Sequence, residues 1–220
     1  MLAGLAAPLA AQAQMGASIA VDSDYRLRGV PLTDSGPTLR ATLNYDAPDG
    51  WYVGVMAARV ELTKGDRYAQ LIPYAGHVWR VDDWRRIELG ATYSHFTGDA
   101  RYDYGEAYVG LLADSWNART FFAPNYFGRG VRTAYAEFNA HTGLSLFARL
   151  FGHVGVLVPL GRAEAEAKRT RVDIRAGAGV SIGDIDLQLA RVAISHRDGP
   201  YPAVYAGRRA AWVASVMLAF

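Results

Sequence analysis

Charged residues at alternate positions are the side chains of this chain best placed to do chemistry. The first such segment sets four charges against four apolar or aromatic residues: Asp22, Asp24, Arg26 and Arg28 against Ile19, Val21, Tyr25 and Leu27. Alternation at period two predicts a strand whose two faces meet different surroundings. Because an arginine near the middle of a bilayer costs about 2–4 kcal/mol, the charged face is expected to line a polar lumen. The chemistry this predicts is the passage of polar solutes.

The same alternation extends the lumen-facing candidates along the chain. They number eighteen, acidic and basic in balance: Asp22, Asp24, Arg26, Arg28, Arg40, Asp46, Arg59, Glu61, Arg86, Glu88, Glu106, Arg119, Glu137, Arg149, Arg171, Asp173, Arg175 and Asp186. Arg26, Arg28 and Arg40 are predicted to form a basic cluster that favours anions. The alternative is a network of salt bridges with the neighbouring carboxylates Asp22, Asp24 and Asp46.

Histidine and serine residues offer little support for catalysis. The two Ser-His pairs, at 94–95 and 195–196, are adjacent strand residues whose side chains point to opposite faces. His141 has a serine four residues on, but no carboxylate is placed by the sequence to orient the imidazole. The five histidines lack metal-ligand spacing, and the chain has no cysteine. We therefore predict no catalytic residue, no metal and no cofactor.

The elements that position these charges are predicted strands. A first strand over residues 19–28 is followed by strands at 38–46, 51–62, 68–80, 85–97, 104–113, 118–127, 132–141, 144–155, 170–182, 185–196 and 209–220. Twelve is an even number, as single-chain outer-membrane barrels require. The sequence thus predicts an all-β fold, a closed antiparallel transmembrane β-barrel of about twelve strands, formed as one domain by residues 14–220.

The final strand shows the alternation most clearly. Trp212, Val216, Leu218 and Phe220 are predicted to face lipid, and Arg209 and Ser215 the lumen. Closure requires this strand to pair with residues 19–27. A strand ending on Phe220 is also what barrel-insertion machinery commonly recognises, so that machinery is an expected partner.

Turns and tryptophans predict the orientation of the barrel. Short turns are predicted at 48–50, 81–84, 114–117, 142–143 and 183–184, and they alternate with mostly longer connections. Trp51, Trp79, Trp84 and Trp116 flank the short turns, as expected at a membrane interface. This arrangement predicts that both termini lie in the periplasm.

The N-terminal residues 1–13 resemble part of a signal peptide. They are apolar and small, and Ala11-Gln12-Ala13 is an A-x-A cleavage pattern. The basic segment that normally precedes such a run is missing, so a truncated or wrongly assigned start is expected. A net charge of +2 gives no reason to expect nucleic acid as a partner.

Several motifs resemble one known family. Residues 23–30 read S-D-Y-R-L-R-G-V and residues 33–37 read T-D-S-G-P, with further matches at 50–54, 74–76, 106–110 and 123–128. This pattern resembles the TorF-family porins of proteobacteria, also called Gcw_chp. The chain departs from it at Leu27, where the family has Phe, and at the basic loop 162–171. The resemblance implies an exported outer-membrane barrel that forms a pore, and it supplies no substrate and no catalytic residue.

Three functions follow from these patterns, in decreasing order of support. The first is an outer-membrane porin of a Gram-negative bacterium, with a narrow polar channel for small hydrophilic, including anionic, solutes. The second is a closed barrel that acts through its extracellular loops, as a surface-interaction or structural protein. The third is an outer-membrane lipid hydrolase that uses His95, His141 or His196. Expected partners are outer-membrane lipids and lipopolysaccharide, whose phosphates the cationic outer loops would bind.

Overall fold

The chain folds as one closed antiparallel β-barrel. The computed structural model describes residues 14–33, 35–63, 65–161, 169–196 and 208–220. Twelve strands form the barrel: β1 (Gln14–Asp22), β4 (Thr38–Asp46), β5 (Trp51–Thr63), β6 (Asp66–Arg80), β7 (Arg86–Phe96), β8 (Tyr104–Leu112), β9 (Trp116–Ala123), β10 (Arg132–Gly143), β11 (Ala148–Leu160), β12 (Arg171–Ile182), β13 (Ile185–Ile194) and β14 (Ala210–Ala219). Two short strands, β2 (Arg26–Leu27) and β3 (Val30–Pro31), form a separate hairpin. The predicted fold class is confirmed.

Parts of the chain lie outside this description. The predicted signal peptide at residues 1–13 lies outside the described residues and stays a prediction, as do most of the basic loops between β11 and β12 and between β13 and β14. No helix among the described residues has the length and apolar character needed to cross a membrane.

The first and last barrel strands meet at a seam. β1 pairs with β14 from Ser18 opposite Ala219 to Asp22 opposite Ser215. On its other side, β1 pairs with β4 along its whole length. The predicted pairing of the two ends of the chain is therefore confirmed up to Asp22. Each β1 backbone group in this overlap has a neighbouring strand, so the sheet has no free edge.

The two faces of the barrel differ as the alternation predicts. Large apolar side chains stay exposed on the outer face of nearly every strand, including Ile19, Val21, Leu39, Leu43, Val53, Val55, Leu89, Val109, Val154, Ile174, Leu187, Leu189, Trp212, Val216 and Leu218. A contiguous apolar surface of this kind is the mark of a membrane-facing wall. The predicted lipid-facing side of β14 is confirmed, and its Ser215 faces the lumen and is buried.

The two ends of the barrel have different connections. At one end, here called the turn end, the strands are joined by residues 47–50, 81–85, 113–115, 144–147 and 183–184, and β1 begins and β14 ends there. Trp51, Trp79 and Trp84 are exposed beside these turns. The opposite end, here called the loop end, carries most of the longer connections, although β5 and β6 are joined by only two residues.

Several predicted strand boundaries are wrong, including those of β9 and β11. β9 ends at Ala123 rather than 127, because Pro124 follows and has no N–H to donate to a neighbouring strand. β11 begins at Ala148 rather than 144, because residues 144–147 form a turn. The Ser145 hydroxyl accepts hydrogen bonds from the backbone N–H groups of Phe147 and Ala148, at 3.2 and 3.0 Å. A serine-centred turn of this kind competes locally with strand geometry.

The first strand also ends earlier than predicted, and this changes the interior. β1 stops at Asp22, and residues 23–33 fold into the lumen. Arg28 and Gly29 both have positive φ, at 50° and 76°, and reverse the chain between β2 and β3. The predicted lipid-facing positions of Tyr25 and Leu27 are wrong, because both pack inside the barrel. Sequence alternation does not distinguish an apolar side chain that faces lipid from one that packs in the lumen.

The seam predicts a specific covalent cross-link. Val21 and Val216 are register partners on the outer face, and directly opposed residues of antiparallel strands lie about 4.5–5.5 Å apart between Cα atoms. That spacing suits a disulfide, so a variant with Val21→Cys and Val216→Cys should form an internal cross-link under oxidation. A reductant-sensitive mobility shift on a denaturing gel would show it. The pair Val21→Cys and Val109→Cys, on strands far apart in the sheet order, should give none; equal cross-linking would contradict the seam.

Candidate functional site

The lumen near the loop end is filled by aromatic and apolar side chains. The cluster consists of Tyr25, Leu32, Ala58, Val60, Leu62, Phe96, Tyr104, Ala123, Tyr126, Phe127, Tyr135 and Leu157, each at most 9% exposed. Two connections contribute to it, residues 23–33 and residues 124–131, and together we call them the plug. Because the side chains of a twelve-stranded wall alone leave space in the lumen, inward-folded connections can fill it.

The second part of the plug is a tight turn. A single 3₁₀ turn, Tyr126–Gly128, places Tyr126 and Phe127 in the lumen with no measurable exposure. Phe127 has φ of 50°, a left-handed conformation that is uncommon for a bulky residue. Its ring lies 4.8 Å from that of Tyr104 and 5.6 Å from that of Phe96. These contacts hold the strained backbone in place.

Arg28 attaches the plug to the barrel wall. Its Nη2 lies 2.7 Å from a carboxylate oxygen of Glu106 on β8, and the two side chains are 7% and 6% exposed. The guanidinium also lies 4.0 Å from the ring centroid of Tyr135 on β10. A buried charge needs both a partner and favourable surroundings, and Arg28 has a carboxylate and an aromatic face.

The other two arginines of the predicted basic cluster are also paired. Arg26 contacts Asp24 at 2.7 Å within the plug, and Arg40 on β4 contacts Asp22 on β1 at 3.0 Å. Burial raises the pKa of the Asp24 carboxyl above its ordinary value, and the Arg26 guanidinium acts in the opposite direction. The geometry therefore favours the salt-bridge interpretation over a free basic cluster. Asp46 is not part of the network, because it lies at the turn end of β4.

A second polar network lines the wall of β5 to β9. Arg119 donates to Glu88 at 2.6 Å, and the Tyr52 hydroxyl donates to the other oxygen of Glu88 at 2.7 Å. The hydroxyls of Tyr52 and Tyr108 are 2.6 Å apart. A Cβ at Gly76 would lie 2.3 Å from the Tyr52 hydroxyl oxygen, so only glycine leaves room for this ring.

A third network lies on β10 to β12. The Nε2 of His153 is 2.8 Å from Asp173, and its Nδ1 is 2.7 Å from the side-chain oxygen of Asn139. Both ring nitrogens thus face acceptor oxygens. Tyr135 donates to Asp173 at 3.3 Å. Alternating charge predicted Asp173 but not the uncharged Asn139 or His153, although the inward parity of β10 and β11 identifies both.

A fourth network joins β11, β12 and β13. Arg149 makes two hydrogen bonds to Asp186, at 2.7 and 2.9 Å, and Ser181 donates to the same carboxylate at 2.7 Å. Gln188 donates to Asp186 and accepts from Arg175, at 2.7 and 2.8 Å. The Arg175 guanidinium also lies 4.9 Å from the ring centroid of Phe151. Gln188 was missed by the sequence analysis, which considered charged residues only.

The structure places most of the predicted lumen residues inside the barrel, but not all. Arg59 and Glu61 lie on the outer face, because the alternate residues Ala58, Val60 and Leu62 are the buried ones. Their predicted lumen-facing positions are wrong, since β5 has apolar residues on both faces and its charges follow the outer parity.

The remaining predicted lumen residues differ in their exposure. Arg86 faces inward at the turn end, where it pairs with exposed Asp114. Glu137 is half-buried and accepts from Asn139 at 3.3 Å, and Arg171 is fully buried.

The described residues line two adjoining cavities in the lumen beside the plug. The larger, about 400 Å³, is lined by residues of the plug and by Asp22, Arg40, Glu137, Asp173 and Arg175. The smaller, about 310 Å³, lies nearer the turn end. They share Asn139, His153 and Arg175. Within the described part of the chain, no group of three or more His, Cys, Asp or Glu side chains is arranged to hold a metal ion. The site is therefore a charged lumen that narrows to a plug.

Comparisons with known proteins agree with this architecture. A family model described as "Bacterial protein of unknown function (Gcw_chp)" matches residues 6–213. The solved structure of the KdgM porin in complex with disordered oligogalacturonate is similar, with a TM-score of 0.59 and 10% identity, over 93% of this chain and 99% of that one. The NanC porin has a TM-score of 0.56 and 10% identity, over 94% and 98%. The chain has no significant match among curated proteins. At this identity the two structures support the fold alone.

The ion pair between Arg28 and Glu106 gives a test of how the plug is held. Glu106→Gln leaves a buried guanidinium without its counter-ion, which should lower the free energy of unfolding by about 3–5 kcal/mol. Urea unfolding in lipid vesicles, followed by tryptophan fluorescence, measures it. Arg86→Gln is the control, because that pair is 37% and 75% exposed and should contribute about 1 kcal/mol or less. Equal losses in the two variants would contradict the proposed role of burial.

Proposed function

Since the chain belongs to the Gcw_chp family and folds as a closed twelve-stranded barrel, we propose that it is an outer-membrane porin for small hydrophilic solutes. The single observation that carries this proposal is the contrast between an apolar outer wall and a lumen lined by ionised and amide side chains. The lumen below the plug supplies hydrogen-bonding groups that can replace the hydration of a solute.

The proposal includes an orientation. The turn end faces the periplasm, because short turns and both termini belong on that side of single-chain barrels. The loop end then faces the outer surface, where cationic loop residues would contact the phosphates of lipopolysaccharide. The exposed Phe220 at the end of β14 fits recognition by the barrel-insertion machinery.

Passage through this lumen requires a change in the plug. Residues 23–33 are joined to the wall by the ion pair of Arg28 with Glu106 and by a backbone hydrogen bond from Glu61 to Leu32, at 2.7 Å. Both contacts are made from a connection between strands rather than from a barrel strand. Connections have lower local stability than paired strands, so we propose that this segment gates the channel.

The plug also favours the second function. A lumen filled near the loop end is what a closed barrel that acts through its surface loops would have. That function predicts no conductance from the purified natural protein, even if removal of the plug opens the lumen. The two functions are therefore separated by one measurement.

Lipid hydrolysis has less support. His95 does contact a carboxylate, with its Nδ1 2.6 Å from Asp103 at the loop end. Among the described residues, however, no serine or threonine hydroxyl donates a hydrogen bond to His95, His141 or His196, so a nucleophile is not in place. The proposal therefore includes no catalytic step.

Single-channel recording in planar bilayers tests the porin proposal. Asp22 and Thr38 are register partners, so residues 24–36 can be replaced by a four-residue glycine–serine linker without changing the strands. We expect small or infrequent channel events from the natural protein and a several-fold larger conductance from the shortened variant, because the lumen would lose Tyr25, Leu32 and the Arg28 side chain that fill part of its cross-section. Arg59→Gln, on the outer face, is the control and should leave the conductance unchanged.

Two results would decide against the proposal. The absence of channel events from the natural protein, with the barrel folded, would favour the closed barrel whether or not the shortened variant conducts. Equal conductance from the natural and shortened proteins would agree with a porin function and would show that the plug does not gate the channel.

A further inference from the structure

The smaller cavity, which we call the vestibule, has a lining of unusual composition for this lumen. It is about 310 Å³ and is lined by Asn117, Asn139, Ala140, His141, Arg149, Phe151, Gly152, His153, Arg175 and Gln188. Among these described lining residues there are two arginines, two histidines and three side-chain amides, but no carboxylate. A volume near 300 Å³ suits a small organic molecule.

The charges of the vestibule are unequally compensated. Arg149 is held by Asp186 in a two-bond contact, and His153 by Asp173. Arg175 differs, because its hydrogen bond goes to the neutral side chain of Gln188 and no carboxylate of the described chain lies within 4.0 Å of it. Asp22, which lines the adjoining larger cavity with Arg175, acts on this guanidinium only at longer range. Among the described residues, Arg175 is therefore the arginine of the vestibule without a direct ion pair.

The position of Arg175 is fixed by its neighbours. Phe151 lies against its guanidinium at 4.9 Å, and Gln188, itself held by Asp186, accepts its Nη2 hydrogen. A planar guanidinium held in this way loses little further freedom when it binds a carboxylate. The Asn117 side-chain oxygen accepts from Asn139 at 3.0 Å, which leaves the N–H groups of the Asn117 amide to donate to hydroxyl groups on the rest of the same molecule.

We propose that the vestibule is a binding site for a small polyhydroxylated monocarboxylate, with Arg175 as the group that binds the carboxylate. This inference rests on the proposed porin function and names its solute class. An anion preference was expected from Arg26, Arg28 and Arg40, but each of them has a carboxylate partner. We therefore assign this preference to Arg175 instead. The larger cavity is a poorer site for an anion, because Asp22, Glu137 and Asp173 are part of its lining.

The experiment compares gluconate with sorbitol, which has the same carbon chain and no charge. Binding to the full-length protein in detergent micelles is measured by calorimetry at low ionic strength, where charge interactions are least screened. We expect gluconate to bind at least about tenfold more tightly than sorbitol, as one charge-assisted contact allows. Arg175→Gln should remove this difference, and Arg59→Gln, on the outer face, should retain it.

A second variant tests the proposal independently, in case Arg175→Gln does not fold. His141 is exposed in the vestibule, so His141→Glu should fold normally while adding a negative charge there. It should weaken gluconate binding several-fold and leave sorbitol binding unchanged. Equal affinities for gluconate and sorbitol, or gluconate binding that neither variant weakens, would overturn the proposal.

The binding assay does not depend on conductance, so the two proposals fail separately. A protein that conducts but does not prefer gluconate is a porin without this site. A protein that binds gluconate through Arg175 but shows no channel events has the site in a closed barrel, which removes the porin function and retains the binding site.

Discussion

Closure of the sheet is the constraint on which the rest of this structure depends. A lipid environment offers no hydrogen bonds to the backbone, so every strand that crosses it must have two neighbours. The register of β1 with both β4 and β14 completes this condition. Once the sheet is closed, each strand has one face toward lipid and one toward the lumen, and the charged residues of the chain have only the inner face and the ends available to them.

A lumen of twelve strands then has to be filled, and the chain fills it in two ways. Toward the loop end, aromatic side chains from the wall and from the plug form a small apolar core with Arg28 and Glu106 buried inside it. Toward the turn end, ion pairs and amides cover the wall and leave open space. The energetics of the two halves differ accordingly. Loss of one partner of a buried pair leaves an unpaired charge, whereas loss at the exposed rim is largely compensated by water.

The sequence alone predicted the strands and, for most of them, which side chains face inward and which face outward. It did not predict the structure where the chain leaves a strand. Period-two alternation predicted the inner face of β12 with Arg171, Asp173 and Arg175, because only one parity places charges away from lipid. The same rule misplaced Tyr25 and Leu27, since an apolar residue satisfies it equally well in lipid and in a packed lumen. It also could not give the pairing of Arg28 with Glu106, which lie 78 residues apart and meet only through the fold.

The plug has a consequence for the order in which the protein assembles. Residues 23–33 follow the first barrel strand directly, and that strand lies at the seam. The strands from β8 to β14 must therefore curve around a segment that precedes them in the chain. Insertion into the membrane would then be a wrapping process, in which β14 encloses its contents when it joins β1 and no segment enters afterwards.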